Sequence, residues 1–391
     1  EEMKTKPTQQ AIRLLGENGI FPDFIICRAK KALDSVRKKK IEIYANISSE
    51  HVISEPDIDT IYSIPLDLER EKFGIKILNE LKLKPKKELD LSEWKKLVSR
   101  IEKPKQTVKI AIVGKYIDIG DYSLADSYLS INQALIHSGA SLNVGIDISW
   151  VDAKVFETNP NKTSDLKNFD GVIVPGGFGS SGVEGKIKAI NFARVNDKPY
   201  LGLCYGMQLA IVEYARNACN MENANTTEVD AKTNFPVIDI LPTQKELMEK
   251  SDYGATMRLG AYAAILKENT KILKLYEETG RLKDDIVRIE NLKKDKEQLF
   301  RLGILERSKN VVLERHRHRY EVNPKFVEEL ESKGMIFSGY HLREDNTKLM
   351  EYIELPKLRY FMGTQAHPEF KSRLGNPSPL FYGFVKACMK S

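Results

Sequence analysis

The stretch Tyr200-Leu201-Gly202-Leu203-Cys204-Tyr205-Gly206-Met207-Gln208 decides the reading of this chain. Pro199 to Leu203 is an apolar run short enough for a buried strand. From Met207 to Ala218 the apolar residues recur at helical spacing, with charge on the opposite face. Gly-x-Cys-x-Gly lies between them, the thiol form of a nucleophile elbow. A side chain held on a tight strand-to-helix turn has a strained backbone, and small neighbours let strand and helix approach. A sulfur at a helix N-terminus also meets free N–H groups and the positive end of the dipole, which favour thiolate. Most unpaired cysteines are small buried apolar residues. The flanking glycines and the switch from strand to helix argue for more here.

Working outward, Val108 to Val113 reads as a strand, and Leu124 to His137 as a helix stopped by Gly139. Ile146 to Val151 and Val172 to Val174 are further strands, the latter running into Pro175-Gly176-Gly177-Phe178-Gly179. The helix Val183 to Val195 leads back to the elbow. This succession predicts an α/β protein with a doubly wound, mostly parallel sheet covered on both faces. In such sheets ligands gather beyond the carboxyl ends of strands, where both Gly176-Gly177 and Cys204 fall. The last third is strand-rich, with Phe235 to Leu241, Met257 to Ile265, Val311 to Val322, Met335 to Tyr340 and Leu349 to Leu355. Asn323-Pro324 starts a helix that Gly334 ends. The charged stretch 277–307 reads as a helical insertion on the surface.

Before this body lies a basic region, 1–83, with a helix from Gln9 to Asn18 and a strand at Phe24 to Cys27. The run Arg37-Lys38-Lys39-Lys40 and the pair Val52-Ile53 follow. Helix, strand, helix and strand alternate, as in an α/β layer too short to complete a sheet. We expect a partial second α/β domain here, then an interdomain linker over 84–107 carrying a short helix around Trp94. Residues 108–391 form the main domain. The opening Glu1-Glu2-Met3 reads as the interior of a longer polypeptide.

Composition narrows the class. The chain has 391 residues, 41% of them hydrophobic and 30% charged, as in an ordinary globular protein. A net charge of +6 permits anionic ligands without arguing for nucleic acid. Four scattered cysteines with no CxxC pair fit a reducing compartment and no zinc site. No apolar run approaches membrane-spanning length. The expectation is a cytoplasmic protein without nucleic-acid or membrane partners and without a metal site in this chain.

A cysteine nucleophile needs a base held by a third group. Of six histidines, His367 in His367-Pro368-Glu369 stands out, because it follows the apolar strand Tyr360 to Gln365. Proline keeps that backbone extended, so that imidazole and carboxylate meet over one site, with Glu369 setting the tautomer. Gly176 and Gly177 let backbone N–H groups turn toward a developing oxyanion.

These strings together resemble the class I glutamine amidotransferases. Lys4-Thr5-Lys6-Pro7-Thr8-Gln9, Met221-Glu222-Asn223-Ala224-Asn225 and Arg315-His316-Arg317-His318-Arg319-Tyr320-Glu321-Val322 more narrowly resemble the CTP synthase family. The resemblance implies a ligase with Cys204, His367 and Glu369 as catalytic triad. It implies that Gly177, Tyr205, Gly206, Met207, Gln208, Glu228 and Arg319 hold glutamine. Lys4, Thr5, Lys6, Pro7, Thr8, Gln9 and Lys40 match the family's UTP and CTP site, and Arg28 and Ile58 lie near its ATP. The family implies ATP and Mg2+ as cofactors, GTP as an activator, CTP as feedback inhibitor, and a homotetramer. Its P-loop and magnesium carboxylates precede the point where this chain starts, so the chain alone is expected to keep only the glutaminase half. Tyr205 stands where the family often has leucine. The string Thr256-Met257-Arg258-Leu259-Gly260 resembles one near the region tied to GTP. Two other classes stay open on the residues: a γ-glutamyl peptidase or chaperone-like protein on the same scaffold, and a non-catalytic assembly module. The nucleotide strings argue against the first, and the intact triad against the second.

Overall fold

A computed structural model describes residues 3–115, 128–240, 257–305 and 308–389, with the backbone alone of 118–119 and 122–123. The chain divides into two compact units, Glu1–Lys103 and Pro104–Ser391.

In the first unit, α1 (Lys6–Glu17) carries Pro7 in its first turn, where a missing N–H costs nothing. It is followed by β1 (Ile25–Ala29), α2 (Ser35–Ala45), β2 (Val52–Pro56), α3 (Ile64–Arg70), α4 (Phe73–Glu80) and α5 (Ser92–Glu102). β1 and β2 pair in parallel, Ile25 opposite Val52. Asp34 caps α2 by accepting from the Arg37 amide at 2.8 Å. The buried apolar core here is small: Ile41, Val52, Ile53 and Val98. The basic run on α2 is only partly solvated. Arg37 donates to the Met3 carbonyl at 2.7 Å, and Lys38 pairs with Glu71 at 3.0 Å. Within the stretch expected as a linker, α5 is folded into this unit, and the Trp94 indole donates to the Tyr62 carbonyl at 2.8 Å.

The second unit opens with β3 (Gln106–Gly114), a two-residue hairpin of β4 (Asp118–Ile119) and β5 (Tyr122–Ser123), α6 (Leu129–Leu142) and β6 (Val144–Asp152). Next come α7 (Lys154–Thr158), β7 (Gly171–Val174), α8 (Val183–Val195), β8 (Tyr200–Leu203), α9 (Tyr205–Ala218), β9 (Asn225–Thr226), β10 (Pro236–Asp239) and β11 (Arg258–Leu266). The chain closes with α10 (Lys271–Glu278), α11 (Arg281–Leu292), β12 (Val311–His318), β13 (Glu321–Val322), α12 (Val327–Ser332), β14 (Ile336–Leu342), β15 (Lys348–Glu354), β16 (Phe361–Thr364) and α13 (Pro379–Cys388). A nine-stranded sheet runs β12-β11-β14-β15-β16-β8-β7-β3-β6. From β16 to β6 the pairs are parallel, and from β12 to β16 antiparallel. One apolar layer packs α8 and α9 on one face; another packs α6, α10 and α13 on the other. β7 and β8 are buried at every position, which explains why they read as continuous apolar runs. No described helix is long and apolar enough to cross a membrane.

Three expectations are corrected. Gly139 does not stop α6, which runs on to Leu142 and ends at Asn143 in the left-handed region. A Cβ at Gly139 would lie 2.4 Å from the Val144 carbonyl oxygen, so the glycine serves close packing. (Residues 124–127, the expected start of that helix, lie outside the described residues, as do Leu241 and Pro242–Tyr253.) The run Val311 to Val322 is two strands in two sheets, broken at Arg319-Tyr320. The stretch expected as an insertion, described over 277–305, is largely helical but not a surface appendage. Arg281, Asp285 and Ile289 of α11 are buried, and Asp285 accepts from the Leu313 amide at 3.0 Å and from Lys371 at 2.8 Å.

Candidate active site

β8 ends at Leu203, α9 begins at Tyr205, and Cys204 is the single residue between them, with φ 49° and ψ −103°. A non-glycine residue in that region stores on the order of 1–3 kcal/mol. The strain persists because both sides are locked. The Cys204 amide donates to the Thr364 carbonyl of β16 at 2.7 Å, and its carbonyl accepts from the Gln208 amide at 3.2 Å. Gly206 admits no side chain: a Cβ there would stand 2.0 Å from the Val174 carbonyl oxygen. At Gly202 a Cβ would meet the Gly206 backbone at 2.8 Å. The glycines of the motif are therefore packing requirements of α9 against β7 and β8.

β16 pairs with β8 in parallel, with Thr364 opposite Leu203. The chain leaving β16 thus reaches His367 beside the residue that follows β8. The His367 amide donates to the Arg315 carbonyl of β12 at 2.7 Å, which fixes its backbone. A Cβ at Gly176 would lie 2.8 Å from His367 Cε1 and 3.6 Å from Cys204 Cβ, so loop, base and thiol converge at one point. His367 Nδ1 is 2.7 Å from Glu369 Oε1. The intervening proline does not hold the backbone extended, as the sequence led us to expect. Pro368–Lys371 forms a single 3-10 turn, and it is that curl which brings Glu369 back under the ring. Burial alone would lower the basicity of His367. The Glu369 carboxylate and the hydrogen-bonded Cys204 sulfur outweigh it and hold the imidazole well above its ordinary pKa.

The glycine loop after β7 is pinned at Gly179. Its amide donates to Glu228 at 2.7 Å, and its carbonyl accepts from the Tyr205 hydroxyl at 3.1 Å. Gly177 sits against Tyr205, 3.8 Å from ring to a built Cβ. Burial raises the Tyr205 phenol, and the nearby Glu228 charge adds to the effect. Tyr320 likewise lies within the fields of both Glu228 and Arg319. Gly177, Tyr205 and Glu228 therefore gather around one end of the loop, while Arg319 lies at the break between β12 and β13. Met207 and Gln208 are committed to the core: Met207 packs on Gly363, and Gln208 donates to the Tyr320 carbonyl at 2.9 Å and to Gln365 at 3.1 Å.

Three contributors escaped the sequence reading. Gln365 donates to Cys204 Sγ at 3.7 Å, and Thr364 supplies the carbonyl that holds the Cys204 amide. Their signal was position alone, two and three residues before His367. Lys186, buried on α8 next to Gly177, gave no signal, since a lysine on an amphipathic helix reads as solvated.

In the first unit a recess of about 450 Å3 is lined by Met3, Lys4, Thr5, Lys6, Gln9, Val36, Arg37 and Lys40. Pro7 and Thr8 lie in the same first turn of α1 but do not line it. Arg28 is on β1 with Asp57 at 3.8 Å, and Ile58 follows β2. Among the described residues no group of three or more His, Cys, Asp or Glu is placed to hold a metal ion.

Residues 123–387 match the family model of the class-I glutamine amidotransferases, and residues 1–83 match that described as the CTP synthase N-terminus. A CTP synthase of Methanopyrus kandleri is 44% identical over 387 residues, covering 99% of this chain and 64% of that protein. One from Methanocaldococcus jannaschii is 44% identical over 393 residues, covering 99% of this chain and 65% of its own length. The chain thus spans slightly less than two thirds of these relatives. Among solved structures, the glutaminase domain of Trypanosoma brucei CTPS with bound acivicin is 34% identical, with a TM-score of 0.59, over 72% of this chain and 93% of that one. With the cysteine elbow, its histidine and the glycine loop assembled on such a sheet, the chain belongs to the class-I glutamine amidotransferase family.

Proposed function

We propose that this chain hydrolyses the side-chain amide of glutamine, as the glutaminase part of a CTP synthase. The observation that carries the reading is the convergence of the strained Cys204, the raised His367 and the Glu369 carboxylate 2.7 Å from its ring. The Cys204 sulfur attacks the amide carbon, and its electron pair forms the C–S bond as the carbonyl oxygen takes the negative charge. Backbone N–H groups of Gly176-Gly177 face that oxygen. The C–N bond breaks, and the proton held on His367 goes to the departing nitrogen, releasing ammonia. His367 then takes a proton from water, the hydroxide adds to the thioester, and the C–S bond breaks to give glutamate. Glu369 orients the ring and balances its charge throughout.

Arg319 suits the α-carboxylate of glutamine and Glu228 its α-ammonium, with Gly177, Tyr205 and Gly206 along the chain between them. Met207 and Gln208 contribute through backbone, their side chains being occupied in the core. In this reading residues 1–83 are the C-terminal part of a nucleotide-binding synthase domain, where UTP is aminated at the expense of ATP. The cationic recess of Lys4, Lys6 and Lys40 fits the phosphates of UTP or CTP, with Thr5, Pro7, Thr8 and Gln9 in the same turn. Arg28 and Ile58 stand toward ATP. The phosphorylation step is not assigned to residues of this chain. GTP activation, CTP inhibition, a homotetramer and a cytoplasmic setting complete the proposal for the whole enzyme.

The test is glutamate release from glutamine by the 391-residue chain, measured with and without GTP. Activity abolished by Cys204→Ala and by iodoacetamide is expected. Hydrolysis of γ-glutamyl peptides in preference to glutamine would replace this reading by that of a peptidase.

A further inference from the structure

Lys186 is one of the largest fully buried side chains of the molecule, with an exposure of 0%. Its Nζ has no hydrogen-bond partner. The ammonium lies 5.4 Å from the Tyr205 ring centroid and 3.5 Å from a Cβ built on Gly177. A buried cation normally has a carboxylate beside it, because an unpaired one costs several kcal/mol. None is supplied among the described residues. On the elements around α8, Glu157 of α7 accepts from the amides of Glu184 and Gly185. Glu213 of α9 is held by Arg194 and Asn191, and Glu228 by the Gly179 amide. The other neighbours are Tyr205 and a second cation, Lys115, at the end of β3, which donates to the Phe178 carbonyl. Burial, with Lys115 close by, pulls the Lys186 ammonium down to about 8. Such a group is conspicuous because an unpaired buried charge is destabilising.

The position accounts for it. Gly177 belongs to the loop that faces the carbonyl oxygen of the bound amide, and that oxygen becomes an anion when Cys204 attacks. A buried cation packed against that loop favours the anionic adduct over the neutral amide. We propose that Lys186 is a positioning residue of the glutaminase reaction, its ammonium acting through the Gly176-Gly177 loop to stabilise the tetrahedral anion over Cys204. The inference rests on the glutaminase reading. It deepens that reading by separating carbonyl addition, which needs the charge, from simple alkylation of the thiol, which forms no oxyanion.

The experiment uses the 391-residue chain with Lys186→Met, which keeps the length and removes the charge. Glutamate release, iodoacetamide labelling of Cys204 and thermal unfolding are measured together. We expect kcat to fall by about ten- to a hundredfold with KM within twofold, and labelling within twofold of the parent. The thermal midpoint should rise, since an unpaired buried charge has gone. A kcat within twofold of the parent overturns the proposal. So does a joint fall of kcat, labelling rate and midpoint, which marks a merely structural lysine. If Lys186→Met does not fold, Lys186→Gln is measured in its place, and a kcat within twofold of the parent overturns the proposal. Absence of glutamate release from the unaltered chain is a different result, and removes the glutaminase reading itself.

Discussion

Each residue at the elbow answers to a measurable constraint. Gly206 faces the Val174 carbonyl so closely that Gly206→Ala must move backbone, not a side-chain tip. We expect a loss of about 3 kcal/mol, read as a lower urea midpoint. Glu369→Gln keeps the shape but removes the charge that sets the His367 tautomer, and glutamate release should fall about 100- to 10,000-fold with little change in KM. His137 is a different case. It is buried on α6 with Nδ1 2.9 Å from the Ser372 hydroxyl, and burial, then Arg373, lowers its pKa to about 4. The folded protein therefore holds it neutral while the unfolded chain takes up a proton below about 6.5. Stability is lost as pH falls from about 6.5 toward 4. His137→Gln removes that loss, so the gap in urea midpoint between parent and variant should narrow steadily over this range. A gap independent of pH would show that His137 does not titrate between the two states.

At the level of elements, α11 carries more than its charged sequence promised. Lys371 closes the turn that contains Glu369, and its ammonium reaches Asp285 on α11 at 2.8 Å and Glu314 on β12 at 3.6 Å. Arg281 on the same helix donates to the carbonyls of Asn376 and Pro377 further along the same strand exit. The stretch after His367 is thus clamped to α11 and β12. Asp285→Ala takes the nearer carboxylate from the buried Lys371 ammonium, which keeps Glu314 at 3.6 Å, and the acceptor from the Leu313 amide, with an expected cost of about 1–3 kcal/mol in chemical denaturation. The sequence could not disclose this. Alternation and spacing report which face of a helix is apolar, and α11 buries charged residues whose partners lie far along the chain. The same limit hid the break at Arg319-Tyr320. By contrast, β7, β8 and α9 were legible because burial on both sides of a parallel sheet leaves an apolar run, and the glycines around Cys204 mark a turn nothing else permits. His367 and Glu369 were found through the string they form, while the 3-10 turn that joins them depends on the clamp.

The two units of the molecule differ in how much each has to hold it together. The first buries Ile41, Val52, Ile53 and Val98 beneath a two-stranded sheet, and leaves Phe21, Ile43 and Val36 well exposed. The second has a covered nine-stranded sheet with apolar layers on both faces. Local stability follows the extent of packed apolar surface. Amides of residues 25–29 and 52–55 should therefore exchange with deuterium orders of magnitude faster than those of 171–174 and 200–203. Equal protection in both would refute that ordering. The alternation of helix and strand in the first unit was readable from sequence. Its basic run was harder to place, since Arg37 and Lys38 are drawn to partners distant in the chain.

The pairing of Leu203 with Thr364 has a temporal consequence. A ribosome making this chain completes the thiol of Cys204 well before the imidazole of His367. Between those moments the nascent polypeptide has a nucleophile with no base, on a sheet still lacking the strand next to it. Under the proposed function, ammonia release is withheld until translation has passed His367 and β16 has docked on β8.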